Sequence, residues 1–304
     1  MEAVSVRNIS KKYGSVEALI DVSFDVEQGE IYGIIGPDGA GKTTLFRILT
    51  TLLLADKGTA FVDGKNVVDD YRKIRDCIGY MPGKFSLYQD MTVSENLEFF
   101  ATVFNTTVEE NYDLVKDIYV QIEPFRTRKA GKLSGGMKQK LALCCALIHK
   151  PSVLFLDEPT TGVDPVSRKE FWDMLRALKK QGITILVSTP YMDEATLCDR
   201  IALIQRGQFL QIDTPLNIMN SFDEILWSVR SDKMYQLLLD LRANHLVKSC
   251  FAFGETHHIT VHKELSMGEL TRYLESRGHE DVEIVSIKAS VEDCYMHLSQ
   301  EREL

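Results

Sequence analysis

No stretch of the 304 residues is long and apolar enough to read as a membrane span: the longest apolar run, LALCCALI at 141–148, falls far short of the ~20 residues that a bilayer needs. The amino terminus, MEAVSVRNIS, lacks a basic segment followed by an apolar core, so no secretory leader is expected. Cysteine is sparse and unpatterned. The six thiols (Cys77, Cys144, Cys145, Cys198, Cys250, Cys294) include no CxxC pair and fit neither a disulfide scaffold nor a zinc site. Reduced, mostly buried thiols in a cytosolic protein are the expectation. Positive charge is in the minority, 35 Lys and Arg against 44 Asp and Glu, and no block of five like charges occurs. Without a basic tract to meet phosphates, a nucleic-acid partner is not expected. What remains is a globular chain with 44% apolar residues, long enough for two domains.

Strands of period two read at 2–9 and 22–27, and EIYGIIG (30–36) reads as a buried strand feeding a helix over 41–53. A strand at 77–81, helices near 94–104, 108–122 and 135–148, and a buried strand at 152–157 follow. The pattern continues with a helix at 167–180, a strand at 183–188, a short helix at 190–197 and a hairpin turned at Arg206-Gly207. Such alternation predicts a largely parallel sheet with helices on both faces. After DTPLNIMN (213–220) the elements shorten and restart as a small α+β unit with ferredoxin-like alternation. The expected domains are therefore 1–215, with a helical subdomain at about 84–150, and 216–304, a dimerisation or regulatory module. No chemical motif stands out in the second. His257 and His258 adjoin on a strand and so point to opposite faces, as ordinary strand histidines rather than a metal pair.

Chemistry concentrates in the first domain. GPDGAGKT (Gly36 to Thr43) fits G-x-x-x-x-G-K-[ST] between a strand and a helix. In that setting backbone N–H groups cradle phosphate oxygens, Lys42 neutralises charge at the β and γ positions, and the Thr43 hydroxyl is placed to ligate Mg²⁺. The contacts expected with nucleotide come from Gly36, Asp38, Gly39, Ala40, Gly41, Lys42, Thr43 and Thr44, with the Asp38 carboxylate turned away from the phosphates. VLFLDE (153–158) ends an apolar strand on two carboxylates. Asp157 is suited to the Mg²⁺ shell and Glu158 to polarising the water that attacks the γ-phosphate. LSGGMKQK (133–140) places Ser134 at a helix N-cap, followed by Gly135 and Gly136, which permit close backbone approach to an anion.

The phosphate loop, LSGGMKQK, VLFLDEPT and GVDP (162–165), in that order and spacing, resemble the nucleotide-binding subunits of ABC transporters over residues 1 to about 212. The tail is similar to the C-terminal extensions on ATPase subunits of some bacterial drug exporters. The resemblance implies a P-loop NTPase fold of the ABC type, with a mixed sheet core and a helical subdomain, and ATP with Mg²⁺ as cofactors. It implies that Tyr13 in KKYG stacks on adenine and that Asp164 communicates across a head-to-tail dimer. It further implies that Ser134, Gly135 and Gly136 touch ATP held by a partner chain. A membrane permease subunit is the other partner it implies, with the chain peripheral on the cytoplasmic face of the cell membrane, an ATP hydrolase in a transport system. The stretch from Gly83 to Leu97, with Phe85, Leu87 and Tyr88, lies where the family receives the permease.

Two positions depart from the family. A Gln that senses the γ-phosphate is replaced by Gly83 in GYMPGKF, and the switch His after VST is replaced by Pro190. Each loss removes a polar group aimed at the reacting phosphate, worth about 2.7–4 kcal/mol of barrier in comparable cases. Locally, Pro190 reads as a helix opener at the first helical position with Thr189 as its cap. Impaired hydrolysis at this chain's own phosphate-loop site is therefore expected, with an intact signature segment lent to a second ATP-binding subunit. Since a homodimer would repeat both losses, a heterodimer is favoured. GPDGAGKTT and AGKLSGGMKQK look most like the first nucleotide-binding half of tandem efflux ATPases. The competing readings are a soluble non-transport ABC ATPase, which would need a second cassette or a basic linker, and a nucleotide-binding regulatory module without turnover.

Overall fold

The computed structural model describes residues 2–301, without the side chain of Glu301. The chain divides into two compact units, Met1–Pro215 and Leu216–Leu304.

The first unit opens with two long strands, β1 (Glu2–Tyr13) and β2 (Val16–Glu27), and continues with β3 (Ile31–Ile35) and α1 (Lys42–Leu49). Next come β4 (Lys57–Val62), β5 (Lys65–Asn66), α2 (Tyr71–Cys77) and β6 (Ile78–Met81). Three helices follow, α3 (Val93–Val103), α4 (Tyr112–Tyr119) and α5 (Gly135–Leu147), and then β7 (Val153–Asp157), α6 (Pro165–Lys180) and β8 (Thr184–Thr189). A 3₁₀ turn at Met192–Leu197 leads to the hairpin of β9 (Arg200–Gln205) and β10 (Gln208–Asp213).

These strands form two sheets rather than one. β2-β1-β4-β5 is antiparallel; β10-β9-β3-β8-β7-β6 is parallel except for the edge pair of β9 and β10. β3, β7 and β8 are buried at every residue, as strands covered on both faces must be. Leu45, Phe46, Ile48 and Leu49 of α1 share a core with Val4 of β1, Ile34 of β3, Val62 of β4 and Phe155 of β7, so this helix is packed against both sheets. Phe46 meets Phe155 edge to face at 5.9 Å. α1 is shorter than its apolar pattern suggests: Thr51 turns left-handed at φ 64°, and the N–H groups of Leu52 and Leu53 fold back to the Arg47 carbonyl. The helix expected near 108–122 is confined to α4, and the pieces β4, β5 and α2 have no counterpart in the periodicity.

α3 and α4 pack on α5. Thr92 and Glu95 close a capping box at the start of α3. The buried Asn96 amide accepts from Tyr88 N–H and donates to the carbonyls of Tyr88 and Thr92, pinning the loop after β6 to that helix.

α7 (Pro215–Asn220) starts at the boundary, and the second unit continues with β11 (Ile225–Arg230), α8 (Met234–Ala243), β12 (Val247–Phe253), β13 (Thr256–Val261), α9 (Met267–Ser276), β14 (Glu283–Ser286) and α10 (Val291–Glu301). Its sheet, in the order β12-β13-β11-β14, is antiparallel at every pairing, which is the ferredoxin-like arrangement. Ser231, His279 and Asp240 form a buried hydrogen-bonded chain at one end. His257 bonds the Met234 carbonyl and His258 bonds Asp293, so the two histidines go separate ways. Among the described residues no group of three or more His, Cys, Asp or Glu is placed to hold a metal ion.

Candidate functional site

The loop between β3 and α1 can be built only from glycine at two points. A Cβ on Gly36 would fall 2.2 Å from the Ile204 carbonyl oxygen. One on Gly41 would fall 2.4 Å from that of Ala18, at a backbone φ of 108°. Between them Pro37, Asp38 and Gly39 are exposed and Ala40 is buried. Gly41 supplies no side-chain cap, so the first N–H groups of α1 are left for an anion. The buried Lys42 reaches back across this loop: its Nζ donates to the carbonyls of Gly36 (2.7 Å) and Pro37 (2.9 Å) and pairs with Glu158 Oε1 at 3.0 Å.

β7 ends at the buried Asp157, whose Oδ1 accepts from the Ser188 hydroxyl at 2.7 Å. Burial pushes this carboxyl above the usual range, with the Glu158 charge adding to the rise, while hydrogen bonds from Ser188 and Thr43 and the Lys42 charge oppose it. Glu158 adopts a left-handed backbone (φ 52°), sparsely populated by residues other than glycine, and its N–H is held by Ser188 O (3.1 Å) and Ser188 Oγ (3.0 Å). The turn carries its carboxylate to Lys42 while Asp157 stays with Ser188 and Thr43. A buried carboxylate beside a hydroxyl, costly to keep ionised, fits a divalent cation that would compensate its charge.

Both departures from the family pattern lie at this point. A Cβ on Gly83 would stand 3.0 Å from the Asp157 carbonyl oxygen and 3.8 Å from Glu158 Cβ. Pro190 follows Thr189, whose carbonyl accepts from Gly36 N–H at 3.2 Å. Pro190 is not, however, the first residue of a helix. The 3₁₀ turn starts two residues later, and the Thr189 hydroxyl accepts from Tyr191 N–H while donating to Glu194 Oε2. Thr189 is thus committed to a local turn and a buried carboxylate rather than to helix capping.

Ser134 caps α5 through a long bond from Met137 N–H, 3.4 Å. A Cβ on Gly135 would lie 3.8 Å from the Gly162 carbonyl oxygen, and one on Gly136 would lie 2.8 Å from Ser167 Oγ. The signature segment is therefore fitted against the turn that carries Asp164, which caps α6 by accepting from Val166 and Ser167 N–H and whose carboxyl these bonds hold below the usual range. Tyr13 ends β1 with its ring half exposed. The sequence offered no sign of Glu194, Arg168 and Thr160, which meet beside Thr189. Each belongs to a segment that reads as a polar turn or a helix surface.

The family described as ABC transporter matches residues 19–161. A probable multidrug ABC transporter ATP-binding protein, YbhF of Escherichia coli, is 37% identical over 80% of this chain; the match spans 43% of that relative's length. The daunorubicin resistance ATP-binding protein DrrA2 of Streptomyces coeruleorubidus is 33% identical over 99% of this chain and 96% of its own. Among solved structures, the dimeric bacterial ABC transporter cassette MJ0796 superposes with a TM-score of 0.63 at 26% identity, covering 69% of this chain and 98% of that one.

Proposed function

The chain belongs to the ATP-binding proteins of ABC transporters, and from that premise we propose that it is the energy-coupling subunit of an exporter with unequal nucleotide sites. ATP is held by the backbone of Gly36–Thr44, with Lys42 exchanging its two carbonyl partners for phosphate oxygens and Tyr13 against the base. Thr43 and Asp157 would hold Mg²⁺, which would supply charge stabilisation for phosphoryl transfer. Glu158 orients the attacking water. Ser134, Gly135 and Gly136, with Asp164, face ATP on a second ATP-binding subunit.

The observation that carries the asymmetric reading is the pairing of two absences. Gly83, against the end of β7, presents no side chain, and Pro190, after β8, presents no polar group. Glu158 is left to act without either neighbour, so hydrolysis at this chain's own site is slow. The names of YbhF and DrrA2 support an exporter of drug-like molecules, with selection of the cargo left to the permease. An apolar groove of about 460 Å³, lined by Met81, Phe85, Leu87, Phe100 and Phe104, supports docking of a permease helix on the cytoplasmic face. Among the described residues no helix is long and apolar enough to cross a membrane.

Pairing the chain with a candidate second ATP-binding subunit tests this reading. Ser134→Arg here is expected to stop turnover by the pair more completely than Glu158→Gln. The reverse order means that this chain's own site does the work.

A further inference from the structure

Glu194 is 2% exposed, yet it carries a carboxylate. Both of its oxygens are engaged, and by three different segments. Arg168 Nε donates to Oε1 at 3.0 Å, while the hydroxyls of Thr189 and Thr160 donate to Oε2 at 2.6 and 3.1 Å. The Arg168 guanidinium is itself seated over the Tyr191 ring at 4.1 Å and bonds Asp193 at 3.1 Å.

The placement of the partners is what gives the cluster a meaning beyond packing. Thr160 comes two residues after Glu158, Thr189 immediately before Pro190, and Arg168 one helical turn after Asp164, whose carbonyl accepts the Arg168 N–H at 2.9 Å. The turn from Glu158 to Asp164 is continuous in hydrogen bonds as well: Thr161 N–H to Glu158 O, then Val163 N–H to Thr160 O. One carboxylate thus clamps the loop bearing Glu158, the segment bearing Pro190 and the helix begun by Asp164. Burying an ionised carboxylate is costly unless it is fully paired, and an apolar cluster of the same volume would hold the three segments at least as firmly. What the hydrogen bonds add is direction: a network of specific donors on three segments and one shared acceptor can carry a displacement of one segment to the other two.

We propose that Glu194 is a positioning residue that makes these three segments respond to nucleotide as one body, passing the state of the phosphate site at Glu158 to the Asp164 turn. The inference rests on the reading of the Gly36–Thr44 loop as an ATP site. It gives the chain a route by which nucleotide bound at its own slow site alters the surface that a head-to-tail partner meets.

Amide hydrogen exchange of the full chain, with and without ATP and Mg²⁺, tests this in the native protein and in Glu194→Gln. The substitution keeps an acceptor for Thr189 and removes the charge that faces Arg168. In the native protein ATP is expected to slow exchange in 36–44, 157–163 and 162–168 together. In Glu194→Gln the 36–44 response is expected to persist, while the 162–168 response falls by roughly tenfold, within the usual range of coupling between sites. Should Glu194→Gln not fold, Thr160→Val removes one bond, leaves the Arg168 pair in place and is expected to weaken the same response. A variant that loses thermal stability but keeps the native nucleotide response at 162–168 overturns the proposal, because the carboxylate is then structural only. If ATP slows no segment of the native protein, the ATP-site reading itself fails and this inference falls with it.

Discussion

Lys42 has its three donors occupied by two carbonyls of its own loop and by Glu158, so the lysine proposed to meet phosphate also restrains the carboxylate proposed to orient water. Removing it with Lys42→Ala deletes a charge-assisted contact of about 1.5–3 kcal/mol, and a titration with fluorescent ATP is expected to show affinity falling roughly 10- to 100-fold. Asp157 carries the opposite economy. Burial raises its carboxyl above the usual range, so holding it ionised costs the folded chain stability relative to the unfolded one. Asp157→Asn is therefore expected to raise the melting temperature at pH 7 while abolishing the Mg²⁺ dependence of nucleotide binding. Because a raised acid takes up its proton in the folded state first, the gain shrinks as pH falls through the raised value and the native carboxyl becomes neutral too. A gain that grows in acid contradicts this assignment. The same close packing bears on any attempt to restore the site. A side chain at 83 needs the Asp157 carbonyl to yield by a few tenths of an ångström, so Gly83→Gln alone is expected to lower stability. Pro190→His together with Gly83→Gln is expected to raise turnover at this site, by up to ~10² to 10³ for each contact regained. Most of these residues were legible in the sequence, because a motif such as GPDGAGKT dictates its own backbone: Gly41 must turn left-handed, and Lys42 then follows at a helix start. Glu194 was not. Its burial depends on three separated segments meeting at one point, and nothing local to MDEA marks it as anything but a solvated turn.

At the scale of elements, uninterrupted apolar runs identified β3, β7 and β8 because strands covered on both faces have no polar side to betray a period. Periodicity failed where segments are short and half exposed. KGTAFV buries only Ala60 and Val62, too little for a pattern, yet it pairs with β1 and widens the β1–β2 ribbon into a sheet of its own. The helical region was read in outline, but the ends of α4 were not, since no hydrogen-bonding side chain caps its start. At the start of α5 the Ser134 cap bond is long and lies at the surface, so Ser134→Arg is expected to lower stability by no more than about 1 kcal/mol while blocking the face proposed to meet a partner's nucleotide. Thermal melting and ATP binding by the variant check this; a large loss in either assigns the serine to folding instead.

For the whole molecule, the proposed roles divide between one chain and a partner. The phosphate loop, Asp157 and Glu158 converge in one place, whereas the start of α5 and the Asp164 turn are fitted to each other through Gly135, Gly136, Gly162 and Ser167. The ferredoxin-like unit shows no group of three or more His, Cys, Asp or Glu placed to hold a metal ion among its described residues. Unequal nucleotide sites are the central claim, and the steady-state ATPase activity of the purified chain, alone and mixed with a candidate second ATP-binding subunit, tests it most directly. The account expects little turnover from the chain alone and full turnover from the pair, surviving Glu158→Gln in this chain. Full activity of the isolated chain, abolished by Glu158→Gln, contradicts it.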